Sequence, residues 1–395
     1  MNPLSAVPEP KLAFQPKHYV CRRAVGQSDW SGRLDQPFWQ HAEWTDVFVD
    51  IEGHLRPHPT KQTRVKMLWD DDYFYIAAEM LEDEIWAYQT ERDSVIFYDN
   101  DFEIFIDPDG DTHQYYEFEI NALGTVWDLL LVKPYRDDGP PINGWDISGL
   151  KTAVHIDGQL NNPAADNRMW SVEIAMPWRI LQECAPGKRP PLSGEHWRVN
   201  FSRVEWQVDV VDGQYIKRSD PVTGKSLPED NWVWSPQGVV NMHYPEMWGY
   251  VIFDDQALTG TVMSDTTMET IQGSDTQAET DALYNKSFAS QIASSPAQTE
   301  LEQLKWTLRR LYYKQRLYAE QYGVYSNEIE PLLNIGDTSF PLAVPSQLSI
   351  QTTSSMFQLS APLHDQTLVC IRQDGLIWQE NRKQHPASNS GGGIQ

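Results

Sequence analysis

Between Tyr19 and Phe253 apolar residues recur at every second position in short runs, broken by clusters of Gly, Pro, Asn and Asp, the pattern of β-strands joined by turns. The clearest case is Val95 to Asp128, VIFYDNDFEIFIDPDGDTHQYYEFEINALGTVWD. In its first arm Phe102, Ile104 and Ile106 alternate with Asp101, Glu103, Phe105 and Asp107; in its second, Tyr116, Phe118 and Ile120 alternate with Glu117, Glu119 and Asn121. Strand side chains point to opposite faces in turn, so this predicted hairpin has one apolar face and one rich in hydrogen-bond acceptors. The acceptor face suits a polyhydroxylated ligand. Few stretches in this region read as helix, with one or two turns predicted over 81–87 and 177–183, the second opening at Pro177.

The pattern changes after Asp254. Residues 256–295 are rich in Ser, Thr, Asp, Gln and Glu and read as a linker. A helix is predicted from Pro296 to Tyr322: Ser295 and Pro296 supply an N-cap and a first-turn proline, and Thr299 with Glu302 forms a capping box one turn later. Leu301, Leu304, Leu308, Leu311, Tyr312, Gln315, Tyr318, Ala319 and Tyr322 form its stripe, broken only by Gln315, and Gly323 sits at the C-cap. SQLSIQTT, MFQLSAP, TLVCIRQD and GLIWQENR then read as an antiparallel meander with Asp374-Gly375 as a hairpin turn. The expected organisation is a β domain over 1–255, a linker over 256–295, a helix plus meander over 296–385 and a disordered tail over 386–395. The helix offers a docking surface for a protein partner or for the chain itself.

A formal net charge of −25 argues against nucleic acid or an anionic membrane as partner and leaves neutral or cationic ligands. Cys21, Cys184 and Cys370 lack metal or disulfide spacing and read as structural thiols. The first residues contain no signal-peptide stretch and no segment reaches the length of a membrane span, so the sequence as written predicts a cytoplasmic protein, or an extracellular one if its start lies elsewhere. The 16 Trp, 17 Tyr and 13 Phe serve sheet packing and sugar stacking equally well. Trp69, Trp178, Trp234 and Trp248 are assigned to the core, while Trp127, Trp145 and Trp206 are weighed as packing residues or sugar platforms.

The order of motifs resembles that of the family 9 carbohydrate-binding modules over residues of about 19–253: LWDDDYFYIAAEMLEDEIWA, the hairpin with EFEINALGTVWD, GQLNNP, WSVEIAMPWRIL, HWRVNFSRVEW and WVWSPQGVVNMHYPEMWGYVIF. The resemblance implies a mainly β protein, an antiparallel β-sandwich with an unrelated C-terminal α+β appendage, that binds mono- or oligosaccharides without cleaving them in the service of polysaccharide degradation. It places Phe97 and Met242 where the family's two stacking tryptophans would stand, with Tyr98, His243 and Tyr244 adjacent as substitutes. Glu103 matches a family acidic residue that accepts from sugar hydroxyls. Glu119 falls where the family has an arginine, and Asn121, Asn200 and Arg203 complete the polar set, Arg203 also being placed to neutralise Glu103 or Glu119. The resemblance further implies structural calcium, for which Asp107, Asp109 and Asp111 offer alternating oxygen ligands, although a DPDG turn explains the same residues.

Two other functions compete. Glu103 and Glu119 can serve as the paired carboxylates of a glycoside hydrolase, but on an open sheet face neither has the burial that raises a catalytic pKa. Met242 and His243 suggest a haem-binding redox module, against which stand the absence of CxxCH and the inability of consecutive residues to straddle one iron.

Overall fold

A computed structural model describes residues 5–255, 295–337, 339–364 and 366–382. Two compact units form: one from the described residues of Pro10–Ala297, the other from those of Met1–Glu9 and Gln298–Gln395. The predicted linker and the tail lie outside the described residues, apart from Ser295 at the linker's end.

The larger unit is mainly β. Its strands are β1 (His18–Arg23), β2 (Val49–Asp50), β3 (Thr63–Trp69), β4 (Tyr73–Leu81), β5 (Asp101–Asp107), β6 (Tyr115–Asn121), β7 (Val126–Leu131) and β8 (Pro141–Ile142). After these come β9 (Lys151–Asp157), β10 (Met169–Pro177), β11 (His196–Glu205), β12 (Val208–Val211), β13 (Gln214–Lys217), β14 (Asp230–Val233) and β15 (Gly249–Asp254). A 13-stranded sheet runs β8-β7-β6-β5-β11-β15-β1-β3-β4-β10-β9, with β14 paired to β11 and β2, while β12 and β13 form a separate ribbon. The pairing is antiparallel except at β1, which lies parallel to both β15 and β3. That strand joins the two halves, and the sheet curls so that Val65, Ile76 and Ile174 of one half share a single apolar cluster with Phe102, Phe118 and Phe201 of the other. Alternation therefore sorts the hairpin as expected, with Phe102, Ile104, Ile106, Tyr116, Phe118 and Ile120 all in that core. Trp69, Trp178, Trp234 and Trp248 are buried as assigned.

One short helix forms and the other does not. Trp178–Leu181 is helical with Pro177 as its cap, since Pro177 still completes the β10 pairing with Tyr73. Residues 82–87 instead run as an irregular crossing after β4, because Glu82 is held by Lys61 and Arg203 in a buried ionic cluster that a helical turn would break.

The helix of the smaller unit spans Glu300–Tyr322, and a 3₁₀ turn at Pro296–Gln298, at the boundary of the two units, precedes it in sequence. The Thr299 hydroxyl accepts from Glu302 N at 3.3 Å, and Gly323, with φ 72°, donates its N–H to Ala319 O at 2.8 Å. Gln315, the polar break in the stripe, is fully buried: its amide donates to Ser326 O at 2.7 Å and accepts from Ser326 N at 3.0 Å. Strands β16 (Ser349–Thr352), β17 (Phe357–His364), β18 (Thr367–Arg372) and β19 (Ile377–Asn381) form the expected meander, with Phe357 against Tyr312 and Tyr325. Residues near the N-terminus join this unit, where Glu9 pairs with Arg310 at 2.6 Å and Ser5 O accepts from Arg316 at 3.0 Å. Among the described residues no helix is long and apolar enough to cross a membrane.

Candidate functional site

The acceptor face of the hairpin is covered, not open. Over β5 and β6 lies a cavity of about 260 Å³ whose floor is Glu103, Phe105, Glu117 and Glu119. Its walls bring Phe97 from the turn before β5, Trp127 from β7, Tyr135 beyond it, Glu229 and Asn231 at β14, and Val240–His243 from the loop before β15. Strand alternation supplies the floor, because residues two apart in each arm share a face and Glu103 is paired directly with Glu119 across the hairpin.

Backbone anchors hold the walls. Phe97 N donates to Glu119 Oε2 at 3.0 Å, and Phe97 O accepts from Trp206 Nε1 at 2.8 Å, so Glu119 and Trp206 fix the turn that carries the ring. The opposing loop is tied by Trp248 Nε1 to Met242 O at 2.9 Å and by His243 N to Asn241 Oδ1 at 2.8 Å. The His243 ring hydrogen-bonds the Tyr115 hydroxyl through Nδ1 at 2.8 Å and meets Tyr135 edge to face at 4.5 Å.

The floor is electrostatically unusual. One oxygen from each of Asp101, Glu103 and Glu119, all buried, lies within 4.8 Å of the others. Glu103 Oε2, Glu117 Oε2 and Trp127 Nε1 are buried without a hydrogen-bond partner. Burial pushes Glu103 up to about 7, Glu229 adding to it and Ser202 opposing it. Burial and neighbouring carboxylates raise Asp101, Glu117 and Glu119 well above the usual range as well. Burial, helped by Arg136, lowers His243 to about 3, so the imidazole is neutral at pH 7.

These shifts fix a pH dependence. From the unfolded carboxyl range near 4.5 up to the folded Glu103 value of about 7 the folded state keeps a proton that the unfolded chain has already lost, and the raised Asp101, Glu117 and Glu119 act in the same direction. Folding stability therefore falls as pH rises, by about 1.4 kcal/mol per pH unit for each extra retained proton. His243 acts the opposite way, but only below about 6.5, where the unfolded imidazole gains its proton. Urea unfolding followed by tryptophan fluorescence should show the midpoint dropping as pH climbs from 6.5 through the folded Glu103 value of about 7, with a shallower drop in Glu103→Gln. A flat or rising midpoint would mean that the floor is ionised in the folded protein.

Of the residues singled out from the sequence, Phe97, Glu103, Glu119 and His243 line the cavity, and Met242 beside them does so too. Tyr98 is half exposed, its ring 5.1 Å from that of Phe97. Four others are placed elsewhere. Asn121 closes a turn, donating to Gln89 O and Asp99 Oδ2 and accepting from Leu123 N and Thr125 N. Tyr244 is buried beneath the Arg136 guanidinium at 4.0 Å. Arg203 neutralises neither Glu103 nor Glu119; its fork binds Glu82 at 2.6 Å and Glu205 at 2.9 Å, because alternation turns it to the face opposite Ser202. Asn200 likewise closes a reciprocal pair with the Ser235 backbone at 2.9 Å.

The Asp107, Asp109 and Asp111 carboxylates do converge, yet Asp107 already accepts from Gly110 N at 3.0 Å and Thr112 N at 2.9 Å, and Asp111 from His113 N at 2.7 Å. These backbone bonds are those of a self-capped turn. Sequence reasoning left Glu117 out of the site although it shares the acceptor face with Glu103. Tyr135 and Glu229 reach the cavity from irregular segments that carry no periodic signal.

Fold and site together define a curled β-sandwich with an acidic, aromatic-walled cavity at one face. Residues 31–142 match the family described as carbohydrate family 9 binding domain-like, so the resemblance read from the sequence holds over that segment. The segment contains Phe97, Glu103, Glu117, Glu119, Trp127 and Tyr135. No curated protein matches the chain. Similar solved structures include a protein from Bacteroides uniformis proposed to bind carbohydrate, 15% identical, covering 61% of this chain and 100% of its own with a TM-score of 0.43. Another is a family 9 carbohydrate-binding module from Caldicellulosiruptor kristjanssonii in complex with cellotriose, 14% identical, covering 64% of this chain and 100% of its own with a TM-score of 0.39.

Proposed function

We propose that the chain binds a carbohydrate in this cavity without cleaving it, within a system that degrades polysaccharides. The observation that carries the reading is the meeting of aromatic walls, Phe97, Trp127 and Tyr135, with the acceptors Glu103 and Glu117 inside the segment that matches the family. Rings cover the apolar faces of a sugar while buried acceptors accept hydrogen bonds from its hydroxyls. Each such bond replaces one to water, so affinity is modest. The cavity volume suits a single sugar unit.

A glycan array followed by calorimetry tests this. Phe97→Ala and Glu103→Gln should each weaken binding by about tenfold, the equivalent of roughly 1.4 kcal/mol. Full binding in both variants would move the sugar elsewhere on the protein.

A hydrolase is the second reading, favoured by one observation: Glu103 is buried in a cavity, contrary to the open face inferred from the sequence. Geometry weighs against it. Glycosidases flank the scissile bond with their carboxylates, whereas Glu103 and Glu119 lie side by side on neighbouring strands and approach a ligand from the same side. Release of nitrophenol from aryl glycosides, lost in Glu103→Gln, would overturn the non-catalytic reading.

A further inference from the structure

Charge at the cavity is one-sided. Glu103, Glu117, Glu119 and Glu229 line it, and among the described residues no Lys or Arg does. The nearby cations are committed elsewhere: Arg136 to Glu246 at 2.8 Å and 2.9 Å, Arg203 to Glu82 and Glu205, and Arg92 to Asp128. Lys217 lies 3.3 Å over the Trp206 ring, outside the cavity wall. His243 is neutral and its Nδ1 is taken by Tyr115.

A second observation points into the space itself. Glu117 is more than nine-tenths buried, lines the cavity, and leaves Oε2 without a partner; its other oxygen is 4.0 Å from His243 Nε2. A buried carboxylate oxygen left unpaired costs about 1–3 kcal/mol or more. A neutral hydroxyl offsets part of that cost, whereas an ammonium forms charge-assisted hydrogen bonds about twice as strong and gains from the surrounding aromatic faces.

We infer that the cavity selects a sugar carrying a protonated amine, a hexosamine whose amino group is unsubstituted, held by Glu117 and Glu103 against the Phe97 and Trp127 rings. This rests on the carbohydrate-binding reading above. A divalent cation fits less well. Calcium takes about 6–8 oxygen ligands, and here Glu119 Oε2 is already engaged by the Phe97 amide while rings make up much of the wall. Burial raises the floor carboxyls, so binding an ammonium ion, which favours their ionised form, releases a proton. The charged and ionisable groups facing it are Glu103, Glu117, Glu119 and Glu229 in the lining, Tyr135 and His243 in the wall, and Asp101 and Lys217 outside the lining.

Calorimetry on the full chain with glucosamine, N-acetylglucosamine and glucose at pH 7.5 tests the inference. Glucosamine should bind at least about tenfold more tightly than either neutral sugar, a difference of roughly 1.4 kcal/mol. Its affinity should fall on acidification to pH 5.5, and its apparent binding enthalpy should vary with the ionisation enthalpy of the buffer. Glu117→Gln should collapse the preference towards unity by lowering glucosamine affinity more than glucose affinity; Glu103→Gln, which keeps the side-chain shape, is the second variant should the first fold poorly. Equal affinity for the three sugars overturns the inference and leaves the carbohydrate reading standing. No binding of any sugar overturns both. Binding of calcium chloride alone, lost in Glu103→Gln and displacing glucosamine, also overturns the inference by making the cluster a metal site.

Discussion

Arg203→Ala should destabilise the larger unit by roughly 3–5 kcal/mol, the cost of removing one partner from a buried ion pair and stranding the other. The guanidinium is almost wholly buried, donating to Glu82 and Glu205 and also to Thr63 Oγ1 at 3.1 Å and Leu81 O at 3.0 Å. Lys61 reaches the same two carboxylates from the partly exposed side, at 2.9 Å in the case of Glu205. Burial opposes the charge on Lys61, but Glu205 and Glu82 outweigh it and push its pKa up. Burial and Glu205 together raise Glu82 to about 7 even with Arg203 and Lys61 holding it down. Without Arg203 the Glu82 pKa rises further, and a raised carboxyl favours folding below its folded value and loses that advantage as pH climbs through it. The deficit of the variant should therefore be larger at pH 8.5 than at pH 6.5. Arg203→Lys should fall between, retaining the charge but not the fork. A midpoint for Arg203→Ala within about 0.5 kcal/mol of wild type at pH 8.5 would show the cluster to be a spectator.

The same cluster shows where sequence reading succeeds and where it stops. Period-two alternation is enforced by the pleat, so the core face of Phe102, Ile104 and Ile106 and the acceptor face of Glu103, Glu117 and Glu119 were both legible. The long helix was legible for a similar reason: its caps are local, and Thr299 and Gly323 act within one turn of the residues they satisfy. What alternation does not reveal is which long-range segment covers a polar face. The carboxylates look solvated in isolation; they are buried because loop 240–243 and the 96–98 turn close over them. Arg203 was read as a partner of Glu103 since both sit on strands of one sheet, but β11 pairs Arg203 with Phe102 and Ser202 with Glu103, a one-residue register that sends the guanidinium to the other face. Residues 81–87 failed as a helix for the same kind of reason, since Glu82 is held by cations distant in sequence.

Glu173 is the residue whose loss should be felt most outside that cluster, and a lone acid in the strand WSVEIAMP is all that marks it along the chain. It lies on the outer face of β10, between Ala77 and Ala153, and is completely buried. Its Oε1 accepts from Ser28 Oγ at 2.5 Å, Gln36 Nε2 at 2.9 Å and Trp39 Nε1 at 2.7 Å, and Oε2 accepts from Gly32 N at 2.8 Å. One carboxylate thus fastens the whole segment 28–39, which carries Phe38 and Trp39 onto Leu68 and Ala77. Gly32 approaches β9 so closely that a Cβ would come within 2.5 Å of His155 N, at a φ of 75° that side chains disfavour. Glu173→Ala strands four donors, most of them buried, and should lower stability by about 3–5 kcal/mol in urea unfolding. Glu173→Gln should cost less, because one oxygen still accepts while the new amide faces a donor. Gly32→Ala should open the same segment by strain with the carboxylate intact. Hydrogen exchange should then rise over 28–39 in both Glu173→Ala and Gly32→Ala while β5 and β6 stay protected. A Glu173→Ala protein within about 1 kcal/mol of wild type would mean that the segment is held by the packing of Phe38 and Trp39 alone.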